Sequence, residues 1–121
     1  MTEGFAGEIG MEVLESGPGA ARVALTVERR HLNLLGRTYG AVYFAVADQA
    51  FALAVNSLAP AVALEVNLNF LRPTGEGDRL TGSARVRHRG RRILVVDLAV
   101  EDGSGRLLAN GAAIAVPPAA D

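Results

Sequence analysis

The sequence predicts an α+β domain in which a curved antiparallel sheet wraps one long central helix. Three observations lead there. The stretch from Tyr39 to Leu64 carries a single formal charge, Asp48, and its helical part, about 41 to 57, is rich in Ala, Leu and Phe and apolar on nearly every side. Two strand-like segments precede this stretch and four follow it, most of them alternating with the period of a half-buried strand. The runs are segregated rather than interleaved, which favours an antiparallel sheet over a βαβ arrangement. Six inward faces and one greasy helix have to meet, and a sheet curved round the helix is the economical solution.

In order along the chain, residues 1 to 8 have weak periodicity and are expected to form a short turn or helix. Ile9 to Glu15 and Ala21 to Glu28 read as the arms of a hairpin around Ser16-Gly17-Pro18-Gly19, with Val23, Leu25 and Val27 on one face of the second arm. Arg29 to Thr38 is a loop containing His31, Asn33 and Gly36. No Ser, Thr or Asp immediately precedes Ala41, so Gly40 is left as a weak N-cap and the first backbone N–H groups stay free for another acceptor. Asn56-Ser57 and Ala59-Pro60 end the helix. A meander of four strands is then expected: Val62 to Arg72, with Val62, Leu64, Val66, Leu68 and Phe70 inward; Asp78 to His88; Arg92 to Asp102; and Arg106 to Val116. The domain is single, 1 to 121, with its core at about 9 to 116 and a disordered Pro-Pro tail at 117 to 121.

Composition narrows the function. Half of the 121 residues are apolar and 21% are charged, an ordinary globular balance. The absence of cysteine rules out a disulfide framework, a thiolate nucleophile and a Cys-based metal site. His31 and His88, the only histidines, lie far apart with no ligand-spaced partners, so no metal is expected. All 12 basic residues are Arg, against 13 acids, which argues against a general nucleic-acid binder. The start shows no signal peptide, and the apolar helix is shorter than the roughly 20 residues that span a bilayer, so a cytoplasmic protein without a membrane segment is expected.

Two features point to chemistry. Asp48 is an ionisable group inside an apolar helix, and such a carboxylate must be paired, hydrogen-bonded or shifted in pKa; perturbed groups of this kind gather at functional sites, though a purely structural carboxylate fits the pattern equally well. Gly40 offers a backbone N–H at a helix N-terminus, where the dipole favours negative charge, and its missing side chain permits close approach. A helix rise of about 1.5 Å per residue puts Asp48 about 12 Å beyond Gly40, too far for one small carbonyl to meet both from one chain. The cluster Arg85, Arg87, His88, Arg89, Arg91 and Arg92 straddles a hairpin tip and reads either as a solvated turn or as a phosphate site. Phe44 and Phe51 are expected in the core.

The run His31-Leu32-Asn33-Leu34-Leu35-Gly36-Arg37-Thr38-Tyr39-Gly40-Ala41, followed by Phe44-Ala45-Val46-Ala47-Asp48, Phe51-Ala52 and Asn56, resembles the signature of the PaaI-type hotdog-fold acyl-CoA thioesterases. Asn69-Phe70-Leu71-Arg72-Pro73, Gly77-Asp78 and Val86-Arg87-His88-Arg89-Gly90 are similar to the same family. The resemblance implies a hotdog fold and hydrolysis of an acyl-CoA, with coenzyme A as part of the substrate and no other cofactor. Phenylacetyl-CoA or a related aryl or short-to-medium acyl group is the implied substrate. It also implies a dimer with sites shared across the interface, often paired into a tetramer. By resemblance Asp48 is the catalytic acid, acting as general base or as nucleophile, Gly40 the oxyanion donor and Asn33 the conserved loop asparagine, although loop capping is a competing use of Asn33. Tyr39, Gly40 and Ala41 stand where relatives usually have His-Gly-Gly, and Ala63 stands near the place where some relatives carry a hydroxyl. Tyr39, Ala41 and Ala63 are thus expected substrate contacts, joined by Arg89 and Arg91 on the phosphate reading of the arginine cluster, with Tyr39 equally readable as a half-buried interface aromatic. A non-catalytic acyl-CoA binding module and a hotdog hydratase or dehydratase are the alternatives.

Overall fold

A computed structural model of the chain describes residues 4–118. A short helix α1 (Gly4–Glu8) leads into β1 (Glu12–Gly17) and β2 (Ala20–Thr26), and a 3-10 turn (Arg29–His31) leads to the long helix α2 (Gly40–Asn56). Then come β3 (Val62–Phe70), β4 (Arg79–Arg89), β5 (Leu94–Glu101) and β6 (Leu107–Val116). All six strands join one antiparallel sheet that curves round α2, the expected class. The first hairpin is tighter than expected. Gly17 pairs with Ala20 across Pro18-Gly19, with Gly19 at φ +72°, so proline fixes the first corner and glycine supplies the second. Its arms are accordingly displaced toward the turn, and Glu28 leaves the sheet to open the 3-10 turn.

The expected four-strand meander is corrected. The order is β1-β2-β4-β5-β6-β3, so β3 pairs with β6 rather than with its successor β4. Joining β2 to β4, with Val23 opposite Gly82 and Leu25 opposite Leu80, sets Val23, Leu25 and Leu80 together in the core, where all are fully buried. Gly82 allows this layering: a Cβ there would lie 2.6 Å from the carbonyl carbon and oxygen of Val46, so the backbone of α2 rests directly on β4.

Two bulges also change which residues face the helix. Ala63 pairs with Ala115 and Glu65 with Ile114, which leaves Leu64 as the extra residue of β3. Directly opposed residues share a face, so Ala63 joins buried Ala115 on the concave side and Val62 turns outward, the reverse of the expected alternation. A second bulge, at Arg87, shifts the end of β4, which runs one residue past the expected His88, so that Arg89 pairs with Leu94 and shares its face. The row Arg89, Leu94, Ala115 and Ala63 therefore crosses four strands on one face.

Helix α2 buries Val42, Tyr43, Val46, Ala47, Ala50, Phe51, Ala54 and Val55. It is not surrounded by its own chain, as its composition suggests. Ala41 and Phe44 are exposed and Asp48 and Ala52 half-buried, a stripe at helical spacing that the sheet of one chain is too narrow to cover. Phe44, expected in the core, is 38% exposed for this reason, whereas Phe51 is buried as expected. Pro117 and Pro118 are exposed beyond β6, and the rest of the tail lies outside the described residues.

Candidate functional site

The entrance of α2 is the most elaborated part of the molecule. Tyr39, with φ −56° and ψ 139°, is the N-cap and Gly40 the first helical residue, one position earlier than the sequence suggests; no side chain caps the helix. No acceptor for the N–H of Gly40 is found among the described residues, so a donor with the positive end of the helix dipole behind it is available to a ligand. A Cβ at Gly40 would sit 3.3 Å from Cζ of Phe70, so the absence of a side chain also lets the Phe70 ring close over the donor. Around it lies a cleft of about 340 Å³, lined among others by Asn33, Arg37, Gly40, Tyr43, Phe70 and Arg72.

Asn33 and Gly40 thus line the same cleft. The Asn33 carboxamide oxygen accepts the N–H of Leu35 (2.9 Å) and of Arg37 (3.1 Å), and the Asn33 N–H donates to the Arg37 carbonyl (2.7 Å). The oxygen shapes the loop, and no partner for the side-chain NH2 is found among the described residues, so loop capping and a contact with ligand are compatible roles for the two ends of one amide. His31 is structural. Its Nδ1 accepts the Glu28 N–H (2.8 Å) and its Nε2 lies 2.8 Å from the Ile9 carbonyl, a pattern that only the neutral ring protonated at Nε2 can make.

Asp48 does not line this cleft. It lies two helical turns further on in the open stripe of α2 and makes no hydrogen bond or ion pair among the described residues. Burial pushes its carboxyl above the ordinary range, the behaviour of an acid held in an apolar setting without a partner charge. Tyr39 is 49% exposed beside the entrance, its N–H donating to the His31 carbonyl (2.9 Å), and Ala41 is exposed one residue into the helix. Ala63, Arg89 and Arg91 are at the other end: Ala63 and Arg89 share the concave row described above, and Arg91 belongs to the β4–β5 turn. One chain therefore supplies two separate groups of the expected residues, Asn33, Tyr39, Gly40 and Ala41 at the entrance, and Ala63, Arg89 and Arg91 at the far end of the sheet, with Asp48 between them.

Nothing in the sequence marks Tyr43, which counts there as one more apolar helix residue. In the fold its hydroxyl donates to the Arg72 carbonyl (2.8 Å) and lies 2.9 Å from that of Thr74, whose hydroxyl donates to Thr38 Oγ1 (2.8 Å). All three side chains are buried. Burial raises the Tyr43 phenol above its usual range, so it keeps its proton. Its ring lies 6.0 Å from that of Phe70, at 43°.

Comparison with known proteins places this geometry. The sequence model of the thioesterase superfamily matches residues 35–109, which include Gly40 and Asp48. The chain is 39% identical over 93 residues to the acyl-coenzyme A thioesterase PaaI of Escherichia coli, covering 76% of this chain and 66% of that protein, just under two thirds of its length. It is similar in structure to the TT0310 protein of Thermus thermophilus, with a TM-score of 0.93 and 36% identity over 98% of this chain and all of that one. A hypothetical thioesterase from Streptococcus pneumoniae, solved with coenzyme A, has a TM-score of 0.83 at 27% identity, covering 88% of this chain and 87% of its own.

The raised carboxyl of Asp48 has a thermodynamic signature. Its folded-state pKa lies above the unfolded value, so the contribution of the neutral acid is fully present below about pH 4 and is lost as pH rises through the folded value. Asp48→Asn removes the charge at constant shape and should stabilise the fold at pH 7, by no more than about 1 kcal/mol because the group is half-accessible and screened. Urea denaturation should show the gain at pH 7 and little difference near pH 4; a destabilised variant at pH 7 would mean that a partner group holds the carboxylate.

Proposed function

The chain belongs to the thioesterase superfamily, among its PaaI-type hotdog enzymes, and we propose on that premise that it hydrolyses acyl-CoA thioesters in a site shared between two copies. The observation that carries this reading is the separation of a free oxyanion donor, Gly40, from an unpartnered acid with a raised pKa, Asp48, along one helix with an open side.

Two edges of the fold support the pairing. Strand β3 ends the sheet with its outer backbone edge unpaired among the described residues, and Val62 and Leu64 are 48% and 66% exposed on it, an apolar template for another strand. The open stripe of α2 runs alongside, centred on Phe44. Residue 44 is midway between 40 and 48. A two-fold axis beside Phe44 would set two antiparallel helices so that Asp48 of each copy faces Gly40 of the other, which an isologous contact does twice. The same operation carries the far end of one sheet, with Ala63, Arg89 and Arg91, toward the entrance of the other copy. Two such dimers pair into a tetramer on the same reading.

In this site the thioester carbonyl oxygen accepts the Gly40 N–H, and the charge that develops on it is met by the helix dipole. Asp48 of the other copy then acts in one of two ways. As general base it takes a proton from water as the water oxygen bonds to the carbonyl carbon, and the C–S bond breaks with the proton passing to the leaving thiolate. As nucleophile it forms an acyl anhydride as the C–S bond breaks and the thiolate leaves; water then cleaves the anhydride, regenerating the carboxylate and supplying the proton that the thiolate takes up. The raised pKa makes the carboxylate a stronger base than an exposed aspartate and suits the first route. Asn33 NH2 positions the water or the thioester, and Tyr39 and Ala41 flank the approach. Arg89 and Arg91 meet coenzyme A phosphates. The rings of Phe70 and Tyr43 suit phenylacetyl and related acyl groups. A coenzyme A substrate fits a reaction in the cytoplasm, and no group beyond chain, substrate and water is needed.

Thiol release from aryl-acetyl, short and medium acyl-CoAs is the direct assay. Asp48→Asn should lower kcat by at least about 100-fold while coenzyme A still binds, and wild-type activity should rise with pH as Asp48 ionises; an Asp48→Asn rate near wild type would sink the mechanism. Acyl-CoA binding without thiol release by the wild type would favour a sensing module instead. Reversal of charge at Arg89 and Arg91 should raise KM for acyl-CoA with kcat little changed, and an unmoved KM removes these residues from the site. Light scattering should give twice or four times the 12.6 kDa of one chain; a mass of one chain would refute the shared site.

A further inference from the structure

The buried hydroxyls of Thr38, Tyr43 and Thr74 take no part in the chemistry above, yet they enclose the residue that does. Thr38 precedes Gly40 by two positions and Tyr43 follows it by three, and both side chains converge on the hydroxyl of Thr74 (2.8 and 2.9 Å). The Thr38 N–H also donates to the Thr74 carbonyl (3.0 Å), and the next peptide is held by the Tyr39 N–H on the His31 carbonyl (2.9 Å). The Tyr43 hydroxyl donates to the carbonyl of Arg72, two residues beyond Phe70, whose ring packs over Gly40. One cluster thus ties down the chain before the oxyanion donor, the first helical turn after it and the wall beside it.

Burial of three hydroxyls is costly unless each is paired, and apolar side chains of the same size would fill the space at no such cost. A satisfied polar cluster instead specifies one arrangement, because any slip of the helix entrance against the loop carrying Thr74 leaves hydroxyls unpaired in a dry interior. The Gly40 N–H has no side-chain cap, and the peptide plane that carries it is held through its other end, the Tyr39 carbonyl, which accepts the Val42 N–H (3.0 Å), so the aim of the donor follows the placement of the first helical turn that Tyr43 anchors.

We propose that Tyr43, through Thr74 and Thr38, is a positioning residue that aims the Gly40 N–H at the substrate carbonyl. Its ring lines the cleft, but its hydroxyl is bonded to the Arg72 carbonyl and to Thr74 and acts on the transition state through the placement of a donor. This inference rests on the thioesterase reading for its kinetic consequence and on the fold alone for its structural one.

Tyr43→Phe keeps the ring and removes the hydroxyl. It should lower kcat by about tenfold or more with KM within about twofold, since misplacing a donor by a fraction of an ångström costs transition-state rather than ground-state binding. Thr74→Val should produce the same loss, Thr74→Ser should restore the wild-type rate, and Tyr43→Phe with Thr74→Val should cost no more than either alone. A role in folding only would lower the melting temperature and leave kcat unchanged at a temperature where the variant is folded, and that result overturns the proposal. An inactive wild type would defeat the thioesterase reading instead; the Gly40 amide resonance then decides the inference. It should shift and exchange faster with solvent in Tyr43→Phe, and an unmoved resonance overturns it.

Discussion

The constraint on which the structure depends is that α2 has no polar face. A helix of Ala, Val, Phe and Leu with one acid must be covered all round, and a chain of this length has a single six-stranded sheet to do it with. The sheet reaches furthest where the helix can come closest, and that is decided at Gly82, where the backbone of Val46 occupies the volume of a side chain. From this contact the buried side of α2 is fixed, and by subtraction so is the open one. Phe44 and Asp48 lie on the remainder, and the site inherits its position from what the sheet fails to cover.

Function follows from the same geometry. The helix begins without a cap, so its dipole ends in an unused donor, and the loop that delivers it is stiffened by the Asn33 oxygen and the His31 ring rather than by contacts to the donor itself. The acid is two turns away in an apolar setting that keeps it basic. Two groups of opposite chemical sense on one rigid rod cannot quench each other, and each stays available for a ligand.

Much of this was legible in the residues, and the failures have definite causes. An isolated charge in an apolar run and a glycine before it are visible because they break local composition, which is why Asp48 and Gly40 stood out. The alternation of β5 was equally plain, since Leu94, Val96, Leu98 and Val100 face the core without interruption. Bulges at Leu64 and Arg87 were not, because an extra residue leaves the pattern of letters intact while reversing the faces beyond it; Ala63 lies on the face opposite to the expected one, and Arg89, expected in the turn after His88, extends β4 on the concave face. Strand order was illegible because β2 and β4 are joined by closure over the helix and β3, which no local signal records. Tyr43 escaped notice because a buried hydroxyl is identified by its partners, and Thr74 and Thr38 come from other segments.

The pairing of β2 with β4 has a consequence for how the chain reaches this state. The hairpin made by the first strands can form early, but its place in the sheet exists only after the helix and two further strands have been made. Sheets built on such distant pairings fold slowly, on the order of milliseconds to seconds. Until then β3 lacks its β6 partner, and against wrong strand partners it carries a single charge, Glu65, beside the bulge at Leu64. The length of time for which this apolar strand stands uncovered is therefore set by how fast the distant pairings close, the step at which chains of such topology are most exposed to one another.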